Sequence, residues 1–252
     1  MRRILVAAGF LFSAMAAVAQ TDSAQAPVAT PTPPTTKTVI NKSNLPRSND
    51  HFLMQLGYTT WQGAPDSIKT GGFPRTFNMY LLFDFPFKTN PHWSVAVGPG
   101  IATDNIYFDK GSVDITGTTA NLVFRDLSDT SHFKKYKLAT TYAEVPVELR
   151  FSSKPDDNRR SVKAALGVKV GTLLNAHTKG NTLQTSSGQT LNAYKQKDFN
   201  KRYFNKTRLS ATARLGYGHF SLFTSYQLTP LFKEGLAPTI RPLTFGLTLS
   251  GL

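Results

Sequence analysis

The sequence predicts an all-β fold, an eight-stranded antiparallel up-and-down transmembrane β-barrel. Three observations lead to this prediction. Apolar residues alternate with polar or small residues along eight segments, the connections between these segments alternate in length, and no segment after the N-terminal region has the long apolar run of a membrane helix. A mature chain inside a membrane would therefore have to be a closed barrel, because lipid offers no hydrogen bonds to an open sheet.

The N-terminal region predicts export. Arg2 and Arg3 precede a mostly apolar stretch at 4–17, and Ala17 and Ala19 are small residues at the two positions that a signal peptidase reads. We therefore expect a signal peptide at 1–19. Residues 20–49 are rich in Pro and Thr with few large apolar side chains, which predicts a disordered periplasmic linker. The barrel is expected at 50–252, and with 0 Cys it has no disulfides.

The eight strand segments follow from the alternation. They lie at about 50–61, 74–87, 93–107, 136–151, 160–175, 204–217, 219–229 and 240–251. The connections between them run long, short, long, short, long, short, long. Outer-membrane barrels have long external loops and short periplasmic turns, so both termini are expected on the periplasmic side of a Gram-negative outer membrane.

The two faces of these strands differ in composition. In the second segment Phe77, Met79 and Leu81 share one face, whereas Asn78 and Tyr80 share the other. The polar face mixes charges with very small residues, which a narrow lumen requires, and aromatic residues concentrate near strand ends. A soluble β-sandwich would also alternate, with its apolar face turned inward, and it remains the alternative fold.

Charged residues are predicted inside the barrel. Strand parity places on the lumen face Asp84, Glu144, Glu148, Arg150, Lys163, Lys169, Arg208 and Arg214. If the fourth and fifth strands pair about a turn between Pro155 and Asp156, Glu148 faces Lys163 and Glu144 is diagonal to Lys169. The same register pairs Val147 with Ala164 and Val145 with Leu166. The cluster is either a structural plug or a basic pore, and the narrow interior of eight strands favours the plug.

The net charge of +14 would suggest nucleic acid as a partner in another compartment. For an exported chain we expect none, and lipid phosphate or an acidic polymer is the better candidate. The third long loop carries a candidate anion-binding group of Lys195, Lys197, Lys201 and Arg202, interleaved with aromatic residues. Its ligand would be lipopolysaccharide or an acidic glycan, and the alternative is an ordinary solvated loop.

Residues for catalysis or metal binding are not evident. The five histidines, His51, His92, His132, His177 and His219, lack metal-ligand spacing, and Ser225 has no histidine in register. We therefore predict no catalytic, cofactor-binding or metal-binding residue and no enzyme. A narrow pore and a lipid-A-modifying enzyme remain alternatives, because some outer-membrane enzymes carry Ser and His on barrel strands.

Short motifs resemble a known family. The segments YQLTPLF at 226–232, KEGLAP at 233–238 and LTFGLTL at 243–249, with YAEVPVEL at 142–149, resemble the PorT-like outer-membrane β-barrel family. The resemblance implies an eight-stranded outer-membrane barrel, and the family's namesake is linked to protein secretion and gliding. It has no agreed active-site residues. We therefore expect a structural or interaction role in the cell envelope, with lipid, lipopolysaccharide or envelope proteins as partners.

Overall fold

The computed structural model describes residues 51–65, 68–73 and 75–251, and these form thirteen strands and one short 3₁₀ helix. The predicted signal peptide at 1–19 and linker at 20–49 lie outside the described residues. The strands are β1 Phe52–Gln62, β2 Arg75–Leu81, β3 Phe83–Pro86, β4 Trp93–Val97, β5 Gly100–Phe108, β6 Gly111–Asp114, β7 Val123–Asp126, β8 His132–Ser152, β9 Val162–Gln184, β10 Thr190–Phe199, β11 Thr207–Tyr217, β12 Phe220–Gln227 and β13 Arg241–Ser250.

Backbone pairing closes the sheet into a ring. The order around the ring is β9, β11, β12, β13, β1, β2, β5, β8 and back to β9, with every pair antiparallel. Two of the eight crossings are each divided into two strands. β3 continues β2 past Leu82, and β4 precedes β5 across Gly98 and Pro99. β3 pairs with β4, and β4 pairs with β8. The all-β class and the eight antiparallel crossings are thus confirmed, and β6, β7 and β10 are additional strands.

Along the ring, apolar side chains are exposed on the outer face and polar side chains are buried on the inner face. Leu81 is 47% exposed on the outer face, whereas Asn78 and Tyr80 are 3% and 2% exposed on the inner face. The same pattern holds on β9, where Val168 and Val170 are exposed on either side of the buried Lys169. A soluble sandwich would bury its apolar face, so this alternative is wrong, and the exposed apolar face needs an apolar surrounding. Separately, the described residues contain no helix that is both long and apolar enough to cross a membrane.

Two strands are longer than their sequence pattern indicated. β8 has 21 residues and β9 has 23, and their outer halves form a three-stranded sheet with β10. We expected a loop at 176–203, and this expectation is wrong. β10 has the sequence TLNAYKQKDF, in which neither alternate set of residues is consistently apolar, so alternation gives no signal there. Backbone pairing with β9 holds it as a strand.

The external loops pack around an apolar core of their own, which we call the cap core. It consists of Ile106, Phe108, Val113, Ile115, Leu122, Tyr136, Leu138, Tyr142, Leu173, Ala176, Tyr203, Phe204, Leu231, Phe232 and Ile240. The loops contribute bulky members such as Tyr203, Phe204 and Phe232, all at most 1% exposed. A buried aromatic side chain stabilises its surroundings by about 2 kcal/mol through removal of apolar surface from water. The long loops therefore fold into an ordered lid above the lumen.

Candidate functional site

Glu148 is the centre of the charge cluster in the periplasmic half of the lumen. Its Oε2 atom accepts hydrogen bonds from Arg214 Nη2 over 2.7 Å and from Arg150 Nε over 3.0 Å. Arg150 Nη1 also lies 3.8 Å from Asp84 Oδ1, to which the Ser94 hydroxyl donates over 2.7 Å. Glu148 and Asp84 together thus balance the charges of the two buried guanidinium groups.

Arg208 organises a second cluster nearer the cap. Its Nη1 atom donates to Asp104 Oδ2 over 2.7 Å, and its Nε atom lies 3.4 Å from Glu144 Oε1. The other Glu144 oxygen accepts from the Tyr80 hydroxyl over 2.7 Å. Lys169 Nζ donates to the Tyr80 hydroxyl and to Gln55 Oε1, each over 3.3 Å. Asp104 was missing from the predicted set, although it shares strand parity with Ala102 on the polar face.

The small residues of β9 bring these charges together. Gly171 lies opposite Glu144 on one side and Arg208 on the other, so these two side chains meet above a residue without a side chain. Ala165 has the same position between Arg150 and Arg214. A Cβ atom on Gly171 would lie 2.8 Å from Glu144 Cγ, which is too close for any side chain. The ion pairs therefore link β8 to β11 across the intervening strand.

The predicted register of β8 and β9 is wrong. Glu148 faces Gly167 and Lys163 faces Ser152, at the periplasmic end of the lumen face, where Lys163 is half-buried. Val147 and Val145 face Val168 and Val170 instead of the expected partners. The turn is longer than expected because Asn158–Arg160 forms a 3₁₀ turn, capped by Asp157. Glu144 remains diagonal to Lys169, as predicted, but its short contacts are to Arg208 and Tyr80.

The described side chains around Asp104 leave little free space in the lumen beneath the cap core. A cavity of about 10 Å³ lies there between Thr59, Asp104, Leu138 and Leu231, which is room for one water molecule at most. A larger cavity of about 290 Å³ lies outside the lumen, between β6 and the β8–β9–β10 sheet, lined by residues that include Asp114, His132 and Tyr136. Side chains thus fill the interior of the ring at this level.

Three histidines hold the periplasmic ends of the strands. His51, His92 and His219 place Nδ1 within 2.9, 2.8 and 2.9 Å of the carbonyl oxygens of Leu82, Ser152 and Ser250, respectively. Each histidine carbonyl in turn accepts from the backbone N–H of the same residue. Among the described residues, no group of three or more His, Cys, Asp or Glu side chains could hold a metal ion. These histidines therefore have a structural role that the sequence did not reveal.

Ser225 has no base beside it in the sheet. It is 5% exposed on the lumen face, and its register neighbours are Thr212 and Thr244. A serine nucleophile needs a base within hydrogen-bonding distance. Neither of these two threonines is such a base.

A row of lysines crosses the outer face of the three-stranded extension. Lys179 on β9 lies directly opposite Lys137 on β8 and Lys197 on β10. The next row outward contains Lys135, Asn181 and Lys195. We call these five lysines the outer wall. The candidate anion-binding loop is thus divided: Lys195 and Lys197 join lysines from other strands, whereas Lys201 Nζ donates to the Leu174 carbonyl and the Arg202 guanidinium lies 5.6 Å from the Tyr203 ring centre.

Comparison with known proteins identifies the family. A family model described as "Outer membrane protein beta-barrel domain" matches residues 48–234. This chain belongs to that family. Two crystal structures of Ail, the attachment invasion locus protein of Yersinia pestis, are also similar, one of them in complex with the heparin analogue sucrose octasulfate. Each matches at 16% identity and covers 79% of this chain and 95% of Ail, with TM-scores of 0.33 and 0.31. No curated protein matches the chain.

As a member of the outer membrane protein beta-barrel domain family, the chain lies in the outer membrane, and its exposed apolar face contacts lipid. The periplasmic boundary is marked by Trp93 and Phe151, whose rings pack 5.2 Å apart. Lys137 is fourteen positions from Phe151 along β8. At about 3.3 Å per residue and a tilt of about 40°, it lies about 35 Å above Phe151, whereas the apolar band of such a barrel is about 25 Å tall. The outer wall of this barrel therefore lies just beyond the hydrocarbon.

The electrostatics of the outer wall reflect its unbalanced charge. Burial, followed by the nearby Lys197, Lys137 and Lys179, lowers the pKa of His177 to about 4. Burial and the charges of Lys179, Lys197 and Arg75 also lower the pKa of Lys137. All the charges that shift these two groups are positive. His177 is consequently neutral at neutral pH, and the wall is a region of strong positive potential.

Proposed function

We propose that this protein is a closed, non-enzymatic outer-membrane barrel of PorT-like type, with a structural or interaction role in the cell envelope. The observation that carries the proposal is the blocked interior, in which ion pairs centred on Glu148 and Arg208 lie below the cap core. A barrel filled in this way can act on its surroundings only through its external surfaces. Lipopolysaccharide and other envelope proteins are the partners that these surfaces would meet.

Conductance tests the closed interior. The purified, refolded protein should give no discrete conductance steps in planar lipid bilayers, whereas an open porin in the same bilayers should. A variant that combines Arg150→Ala and Arg214→Ala with Phe232→Ala removes side chains from both the ion pairs and the cap core and serves as the opened control. Stable steps from the wild-type protein would make the narrow pore or transporter the correct function.

A lipid-modifying enzyme is the second function to test. Ser225 supports it poorly, because its neighbours in the sheet are threonines and not a base. Expression of the protein in a heterologous outer membrane should leave the mass of lipid A unchanged. A mass shift that disappears in the Ser225→Ala variant would replace the interaction role with an enzymatic one.

The link to secretion and the export signal rest on the sequence. The PorT-like segments at 226–249 support a role in protein secretion, and deletion of the gene should then reduce the set of proteins in the culture medium. An unchanged set would remove that link while leaving the closed barrel intact.

Export by residues 1–19 predicts that N-terminal sequencing of the mature protein starts at Gln20.

A further inference from the structure

The lysine row is built from three separate strands. Lys137, Lys179 and Lys197 are register neighbours on β8, β9 and β10, and they share the face that continues the lipid-facing side of the barrel. Directly opposed residues in a sheet have Cβ atoms only about 5 Å apart, and like charges in such positions destabilise the sheet. The row contains two such pairs in succession. The fold thus holds three positive charges together at a cost in stability.

Protection of an exposed sheet edge does not explain the row. Lysines on an edge strand prevent pairing with other chains, and this suits Lys195 and Lys197 on β10. Lys137 and Lys179, however, lie on strands that are paired on both sides at these positions. None of the salt bridges within 51–65, 68–73 and 75–251 involves a lysine of the row. Lys137 Nζ instead donates to Asn105 Oδ1 over 2.6 Å.

The position of the row restricts the chemistry of its counter-charge. Lys137 lies about 10 Å above the outer edge of the apolar band, at the depth of the lipid headgroups. Below the row, past the pair of Thr141 and Asn175, the same face of the strands carries exposed apolar residues such as Val145 and Val170. A ligand that joins an anionic group to acyl chains would satisfy both parts of this surface. A soluble anion would contact only the upper part.

We infer that the outer wall, centred on the row of Lys137, Lys179 and Lys197, binds the phosphate groups of lipid A in the outer leaflet. Each lysine ammonium offers three donors, and phosphate is a multiple acceptor that can be shared between adjacent lysines. Lys135 and Lys195 lie one row further out, where they face the phosphorylated part of the headgroup. This inference rests on the proposed function in one respect: it names the partner of the outer surface.

Lipid binding by matched variants tests the inference. The full-length protein in zwitterionic detergent is titrated with diphosphoryl lipid A, and bound lipid is counted by native mass spectrometry. The wall variant Lys137→Gln, Lys179→Gln, Lys197→Gln should bind on the order of 100-fold more weakly, since each basic residue near an anionic lipid surface contributes about a fivefold factor. The loop variant Lys201→Gln, Arg202→Gln, Lys206→Gln loses the same charge on the same side and should bind as the wild type does.

Several results would overturn the site. The first is an equal loss of lipid A affinity in the wall and loop variants, and the second is a wall variant that binds lipid A as the wild type does. The third is a wild-type protein that binds lipid A without its two phosphates as tightly as diphosphoryl lipid A. Competition by inorganic phosphate as effective as that by lipid A would assign a free-anion site instead, and competition only by an acidic polysaccharide would assign a glycan site. Heat-modifiable gel migration checks folding, and Lys179→Gln alone is the second variant if the triple variant does not fold. The conductance result does not depend on any of these outcomes.

Discussion

Glu148 shows how a single residue links two strands that are not adjacent in the sheet. The side chain is 3% exposed and holds Arg150 from its own strand and Arg214 from β11. Neither arginine can reach water easily, since both are at most 9% exposed. A buried pair contributes modestly in the intact protein, but loss of one partner strands the other charge in a medium of low dielectric constant. The effect of removing Glu148 should therefore be large.

We predict that Glu148→Ala lowers the free energy of unfolding by about 3–5 kcal/mol, because two guanidinium groups lose their shared carboxylate. Urea unfolding in lipid vesicles, followed by tryptophan fluorescence, measures the change. Glu234→Ala removes an exposed carboxylate from an external loop and should have little effect. Equal unfolding curves for the two variants would contradict the role of Glu148. Conductance gained by Glu148→Ala with unchanged heat-modifiable migration would identify the cluster as a gate.

The pKa of His177 depends on the positive charge of the outer wall. In the folded protein its pKa is lowered to about 4, below the ordinary value of 6.5, by burial and then by lysines of the row. Between pH 6.5 and 4 the unfolded chain takes up a proton that the folded chain refuses, so His177 lowers stability as the pH falls through this window. Above pH 6.5 the histidine is neutral in both states and has no such effect.

NMR titration of the His177 ring in detergent measures this shift. We expect a midpoint near pH 4 in the wild type and a higher midpoint in Lys179→Gln, which removes a neighbouring positive charge. Lipid A should raise the midpoint in the wild type, since bound phosphate offsets the same charges. The distant Lys233→Gln variant is the control and should titrate as the wild type does. A wild-type midpoint near 6.5 would contradict the electrostatic description of the wall.

At the scale of the element, β9 has glycine or alanine on its inner face at the positions where large side chains of the neighbouring strands meet. Gly167 lies opposite Glu148, and a Cβ atom there would lie 2.2 Å from the Val147 carbonyl oxygen. Gly171 stands in the same relation to Glu144. The register of the β8–β9 hairpin therefore places each glutamate opposite a glycine. The register predicted from opposite charges placed Glu148 opposite Lys163, and the hairpin does not form this pair.

We predict that Gly167→Val destabilises the barrel by about 3 kcal/mol, because the added side chain overpacks the lumen against the backbone of β8. The fraction of protein with heat-modifiable migration after refolding, together with the urea midpoint, measures the effect. Ala164→Val on the lipid-facing side of the same strand is the matched control and should behave as the wild type does. If both variants refold equally well, the close approach at Gly167 does not set the register.

At the scale of the whole molecule, the interior is closed by two layers of different chemistry. The lower layer consists of ion pairs and hydrogen bonds between strands, and the upper layer is the apolar cap core. Phe232 is 1% exposed at the centre of the upper layer, with the rings of Phe204, Trp61 and Phe124 at 5.1, 6.0 and 6.0 Å. Of these four residues only Trp61 lies in a strand of the ring, so the two layers can fail separately.

We predict that Phe232→Ala destabilises the cap by about 3–5 kcal/mol while the ring of strands survives. Protease added to the outside of cells should then cut the loops at 109–131 or 228–240 faster than in the wild type. Heat-modifiable migration of the barrel should be unchanged. Phe199→Ala truncates a phenylalanine that is 56% exposed and should leave the cleavage rate as it is. Loss of the barrel together with the cap would show that the layers are not independent.

The sequence by itself determined the class of fold, the eight crossings and which charges face inward. These features depend on the two-residue period of a strand, which is local and can be read from consecutive residues such as Phe77, Asn78 and Met79. The same parity would also have found Asp104. The family match and the outward apolar face agree with that pattern.

Only the tertiary structure decided which residues meet. Arg208 and Arg214, which pair with Glu144 and Glu148, come from β11, across the small residues of β9. The lysine row joins strands whose members are up to 60 positions apart in the chain. The cap core likewise gathers Ile106 from β5 and Tyr203 and Phe232 from two separate connections. Parity specifies a face but not a register, and β10 has no apolar face to indicate it. Long-range pairing determines the register and the presence of β10. In the ring, the strands pair where glycines leave space for the large side chains of neighbouring strands.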